Sequence, residues 1–121
     1  MIIVRPAILI ALLISLTHCR KKFGASCADS VETLKLLNEG TFLVDCPAKC
    51  TETNAPVSGK NPYTTDSSIC RAAIHAGAIE SYSGGVVKIV IEPGQNEYPG
   101  FTMRTIASTP RGAYPHSFSI K

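Results

Sequence analysis

The chain has 121 residues, a formal net charge of +3 from 12 Lys and Arg against 9 Asp and Glu, and five cysteines. That balance is too mild, and its basic residues too scattered, for a nucleic-acid-binding surface. No Asn-x-Ser/Thr sequon occurs, so N-glycosylation is not expected either.

The first residues read as an address. Met1–Arg5 carry one positive charge, Pro6–Leu16 are almost wholly apolar, and Thr17-His18-Cys19 follow as a c-region. The apolar run is too short to span a bilayer and suits the h-region of a secretory signal peptide. Residues 1–19 are therefore predicted to be a signal peptide cleaved within a residue or two of Cys19, and the protein to be secreted and extracellular. Leu16-Thr17-His18-Cys19 makes a poor lipidation box, because the positions before the cysteine should be small. About a hundred residues remain, enough for one small domain. A core of that size gains from covalent staples. Cys27, Cys46, Cys50 and Cys70 supply an even set in an oxidising compartment. A retained Cys19 would leave an unpaired thiol and favour an intermolecular link.

Residues 20–26 read as a loose N-terminal extension. Ser30–Glu39 holds Val31, Leu34, Leu36 and Leu37 at spacings that suit helix and strand equally, and ends in the turn Asn38-Glu39-Gly40. Thr41–Val44 reads as a strand running into Cys46, which Pro47 stops. Thr51–Pro62 is rich in turn formers and reads as a loop, with room for one short strand around Val57. Asp66, Ser67 and Ser68 form a helix start, the helix runs from about Ser68 to Ala76, and Gly77 ends it. Its apolar residues wrap nearly all the way round, which places it at the centre of the fold. The exceptions, Arg71 and His75, are four apart and share one face. Ser83-Gly84-Gly85 is a tight turn, and Val86–Ile91 is the clearest strand. Glu92–Gly100 reads as an exposed loop, Phe101–Ile106 as a strand, Ser108–Pro115 as a loop, and Ser117–Ile120 as a closing strand. The sum is an α+β domain with one helix among several short strands.

Cys70 and His75 invite a thiol-enzyme reading, which requires a free thiolate within reach of the imidazole. Secretion makes a disulfide the default state of Cys70, and His75 is better read as a packed residue whose ring nitrogens meet nearby backbone groups. Cys46, Cys50, Cys70 and His75 count as four soft ligands. Their spacing is not that of a zinc knuckle, and extracellular thiolates oxidise, so neither metal nor cofactor is expected. Asp66 reads as a helix cap or the partner of a first-turn amide rather than a carboxylate catalyst, and no second carboxylate is placed to form an acid/base pair with it. Gly84-Gly85 lacks the surroundings of a phosphate loop. Arg71, Lys60, Lys88 and Arg104 are candidates for an anion-binding patch, set against the plainer reading of solvated or salt-bridged side chains. Four cysteines allow three connectivities. Pairing Cys46 with Cys50 would constrain little, which leaves the two long-range arrangements open.

Several of these residues together form a pattern: Cys27, Cys46-Pro47-x-x-Cys50, Tyr63-x-x-Asp66-Ser67-Ser68-x-Cys70-x-Ala72-Ala73-x-His75-x-Gly77, Gly84-Gly85, Pro93-Gly94-Gln95, and Tyr114-Pro115-x-Ser117-Phe118. This pattern closely resembles the signature of the LCCL domain, an extracellular module, over roughly Phe23–Lys121. Phe101–Arg111 fits it less well. The resemblance implies a domain over residues 27–121, with a central α-helix wrapped by short twisted antiparallel β-strands. It implies two disulfides, Cys27–Cys46 and Cys50–Cys70, and structural roles for Tyr63, Asp66, Ser67, Ser68, Ala72, Ala73, His75, Gly77, Gly84 and Gly85. By the same resemblance the protein is no enzyme. It is expected to be a recognition module of host defence or extracellular matrix. Lipopolysaccharide, anionic lipid or glycan would be its ligand, with peripheral membrane contact at most, or an extracellular protein its partner.

Overall fold

The computed structural model describes residues 20–121. The expected signal peptide, residues 1–19 with Cys19, lies outside the described residues. Seven strands occur among them: β1 Lys22–Gly24, β2 Thr41–Cys46, β3 Tyr63–Thr64, β4 Gly85–Gln95, β5 Thr102–Met103, β6 Ile106–Ala107 and β7 Tyr114–Ile120. The α-helix among them is α1, Ile69–His75.

Alternation along β2 shows how the architecture forms. Phe42, Val44 and Cys46 are buried, while Asp45 between them is exposed. Register carries the same face across the sheet: Phe42 lies opposite Ile89, Val44 opposite Val87, Ile89 opposite Ile120, and Ile91 opposite Phe118. All of these but the half-buried Ile91, which packs against them, form one buried cluster with Ile69, Ala72, Ala73 and Ile74 of α1. Burying a side chain such as Phe42 contributes roughly 2–3 kcal/mol. Strand order is β1-β2-β4-β7-β3, with β5-β6 as a separate hairpin. The pairs are antiparallel except β1–β2, which is parallel.

That parallel strand corrects the expectation of a loose extension. Phe23 packs edge-on against Phe42 at 5.8 Å, and the Leu43 amide donates to the Lys21 carbonyl at 2.9 Å. Three residues carry too little periodicity to be read as a strand. Ser30–Glu39 is neither helix nor strand but a run of turns ending in a 3-10 turn at Leu37–Glu39. Local side-chain bonds compete with regular structure there: the Ser30 amide donates to Thr33 Oγ1 (2.7 Å) and the Thr33 amide to Ser30 Oγ (3.1 Å).

β4 runs through Pro93 to Gln95, where a loop was expected. The Ile91 amide points to the β2 side, donating to Gly40 O, and odd-numbered residues of β4 share that direction. β2 ends opposite Val90, so the missing N–H of Pro93 faces a side with no strand and costs no ladder bond. The expected strand Phe101–Ile106 folds into a hairpin instead. Met103 pairs with Ile106, and the two loop residues Arg104 and Thr105 take φ of 51° and 65°. Two-residue hairpin turns favour such positive φ, but Arg-Thr is not the glycine or asparagine sequence that announces one.

The disulfides correct the implied pairing. They join Cys27 to Cys50 and Cys46 to Cys70, with Cα separations of 5.1 and 5.5 Å. Cys46 closes the buried face of β2 and so meets Cys70 in the first turn of α1. Cys50 opens a 3-10 turn, Cys50–Glu52, and reaches back to Cys27.

Candidate recognition surface and the packed motif

Ser68 is the N-cap of α1. Its Oγ accepts from the Arg71 amide (3.1 Å) and donates to the Cys27 carbonyl (2.6 Å). Asp66 is therefore not the cap; its carboxylate pairs with Arg111 at 3.1 Å. Ser67 is buried, accepting from the Ser58 amide (2.9 Å) beside the Thr64 hydroxyl (2.8 Å). Ala72 and Ala73 are fully buried, and their small side chains let α1 approach its neighbours closely.

His75 is fully buried as well. Its Nε2 lies 2.9 Å from the Phe101 carbonyl oxygen and its Nδ1 lies 2.9 Å from the Tyr63 hydroxyl. A carbonyl can only accept, so Nε2 carries the proton and Nδ1 accepts from Tyr63. Burial pushes the Tyr63 phenol up to about 12. Gly77, with φ +81, ends the helix. The Arg104 guanidinium lies over it and donates to the His75 carbonyl at 2.9 Å, capping the C-terminus of α1. A Cβ on Gly84 would strike the backbone of Cys46 and Pro47.

The four candidate ligand-binding cations have separate surroundings. Arg71 turns inward, donating to the carbonyls of Ala55 (2.8 Å), Cys50 (2.9 Å) and Thr53, and burial pulls its pKa below the ordinary value. Arg104 is held at the helix end. Lys60 sits over the Phe101 ring, 4.4 Å from its centre. Lys88 lies between buried Val87 and Ile89 of β4, on the opposite, solvent-facing side of the sheet from α1. Arg71 and His75, four apart on α1, go separate ways, one to backbone carbonyls and one into the core.

Sequence reading missed a second polar framework. Tyr114 donates to Glu32 (2.6 Å), Thr65 donates to the same carboxylate oxygen (2.8 Å), and Arg111 covers the Tyr114 ring at 4.7 Å. Burial, then the Glu32 bond, pushes the Tyr114 phenol up to about 12. Tyr98 is buried, and its hydroxyl accepts from the Gln95 amide and lies 2.6 Å from Ser117 Oγ. The Asn61 side chain clamps Ile120 through both backbone groups, at 3.0 and 2.8 Å. Pro and Gly around Tyr98 read as open loop, and no periodic pattern marks a loop residue as core.

Chemically, the motif is a packed structure. The Cys70 sulfur is bonded to Cys46, and both ring nitrogens of His75 are engaged. Among the described residues no group of three or more His, Cys, Asp or Glu is gathered to hold a metal.

Comparison with known proteins bears on this geometry. The LCCL domain family model matches residues 17–118. Vitrin of Mus musculus is 33% identical over 90 residues, 74% of this chain and 14% of that protein. Cysteine-rich secretory protein LCCL domain-containing 2 of Homo sapiens is 38% identical over 72 residues, 57% of this chain and 14% of that protein. Clotting factor C of Tachypleus tridentatus is 37% identical over 75 residues, 62% of this chain and 7% of that protein. The match thus covers no more than 14% of the length of any of these three relatives. With a capped, cysteine-tethered helix at its centre and the family's pattern across its length, the chain belongs to the LCCL domain family.

Proposed function

We propose that this chain is a secreted, non-enzymatic recognition module that binds lipopolysaccharide or another lipid or polysaccharide surface, in host defence or extracellular matrix. The observation that carries the reading is the state of the motif: its cysteine is tied to Cys46 and its histidine is spent on Tyr63 and Phe101. A motif so occupied builds a scaffold, leaving exposed side chains to do the binding. The names of the relatives support the setting, one being a clotting factor and another a cysteine-rich secretory protein. Export through a leader at residues 1–19 belongs to the same reading. Among the described residues no helix is long and apolar enough to cross a membrane.

The test is binding of the oxidised, leader-free protein to lipopolysaccharide and to anionic and neutral liposomes across a salt series. Saturable lipopolysaccharide binding that outlasts moderate salt is the expected result. Binding that vanishes with salt reduces the interaction to general charge attraction. A second reading, a polypeptide partner, is favoured by exposed Tyr82 (88%), Val86 (47%) and Phe101 (46%). No binding to any lipid, followed by capture of a partner from extracellular fluid that Tyr82→Ala abolishes, would establish it instead.

A further inference from the structure

The register of the five-stranded sheet sets three lysines in one line on its solvent face. Lys22 lies opposite Leu43, and Leu43 opposite Lys88. The Lys121 amide donates to the Lys88 carbonyl at 3.0 Å, so Lys121 continues the row on the next strand. Lys22 and Lys121 are exposed, and Leu43 and Lys88 half-buried. With neighbouring strands about 4.8 Å apart, the row is roughly 14 Å long and crosses the strands at a right angle. The ion pairs among the described residues are Lys21–Glu39 and Arg111–Asp66, so none of the three lysines is paired there.

What flanks the row selects the shape of its partner. On one side, about 7 Å along the strands, the next row is Gly24, Asp45 and Val86. On the other side come Thr41, Val90 and the buried Ser119, and two rows from the lysines the half-buried Glu92 lies opposite Ser117, which Tyr98 covers. A carboxylate thus bounds the basic strip on each side. A plane of negative charge, such as an anionic bilayer, would press against Asp45 and Glu92 as well as the lysines. A single chain of negative charges lying along the row meets the lysines and avoids both acids.

We propose that this strip is the ligand-binding surface and that its occupant is a linear polyanionic glycan, carrying sulfate or carboxylate groups along one chain. This rests on the recognition reading above and narrows it to one ligand class and one face. Arg71 and Arg104 take no part, since both are committed to backbone carbonyls.

The experiment titrates the oxidised protein with a heparin oligosaccharide as the linear probe, and in parallel with lipopolysaccharide and phosphatidylglycerol vesicles. Two triple variants with the same charge change are compared: Lys22→Gln/Lys88→Gln/Lys121→Gln on the sheet, and Lys35→Gln/Lys49→Gln/Lys60→Gln elsewhere. Thermal melts establish that both remain folded. The sheet triple is expected to lose about tenfold or more in heparin affinity and about two to three units of salt slope, as fewer counterions are released. The off-face triple is expected to change affinity less than about twofold. Asp45→Asn with Glu92→Gln should raise vesicle binding relative to heparin binding. Equal losses in the two triples overturn the proposal, as do vesicles that bind the wild type as tightly as heparin through the same lysines. Lipopolysaccharide binding without heparin binding overturns the proposal and leaves the recognition reading standing, whereas no binding to any probe removes both.

Discussion

Tyr63 and His75 satisfy each other at the centre of the domain, and neither has water to fall back on. Tyr63→Phe removes the donor to His75 Nδ1 and leaves a buried acceptor unpaired, which costs about 1–3 kcal/mol. A lower urea midpoint with unchanged slope is the expected reading. The phenol also makes stability depend on alkali. The unfolded side chain releases its proton near 10.0 and the folded one at about 12. A raised folded value means the contribution is intact below pH 10 and is lost as pH climbs toward 12. Wild type is therefore expected to lose more stability between neutral pH and about pH 11 than Tyr63→Phe does. Gly77→Ala meets two obstacles, a φ of +81 and the Arg104 guanidinium where its Cβ would stand. The left-handed backbone alone costs about 1–2 kcal/mol, again measurable by urea denaturation. The residue types at these three positions were legible in the sequence as a motif. Their partners were not, because Phe101 and Arg104 lie on a distant hairpin that the sequence presented as one strand.

At the scale of elements, α1 has only seven residues, too few to persist alone in water. Its ends hold it in place. Ser68 bridges the Arg71 amide and the Cys27 carbonyl, so Ser68→Ala is expected to cost about 2 kcal/mol, at the upper end for a lost cap. Hydrogen exchange at the amides of the first turn should rise in parallel. A start near Asp66–Ser68 was readable, but among three consecutive capping residues the acid Asp66 was the wrong choice of cap. Tertiary contacts chose: Arg111 claims Asp66, Ser58 claims Ser67, and Ser68 remains. β4 teaches the opposite lesson. Pro93 and Gly94 spelled a loop by every local rule, and the strand continues because β2 has already ended on the side that proline leaves unbonded. The rule that failed is local, and the fact that overrode it is the length of a neighbouring strand.

For the whole molecule, the cysteines announced two staples but not their partners. Sequence separations of 23 and 24 residues differ little from the roughly twenty of the implied arrangement. Loop-closure entropy grows only logarithmically, so the two schemes differ by about 0.2 kcal/mol per loop. Packing decides instead, through the inward face of β2. Removing either staple should cost about 3 kcal/mol of chain entropy. Cys46→Ala/Cys70→Ala is expected to cost more than Cys27→Ala/Cys50→Ala, since Cys46 and Cys70 are both buried in the core and Cys27 is only partly so. Urea midpoints of the two double variants check the order.

The two bridges interleave along the chain, and this decides how the protein withstands proteases. Lys49 is exposed, and a tryptic cut after it leaves Cys27 and Cys46 on one fragment and Cys50 and Cys70 on the other. Both bridges then span the break. Under a sequential pairing the same single cut would release two separate pieces. A molecule nicked there runs as one species without reductant and as two with it, so a single cut leaves its parts together.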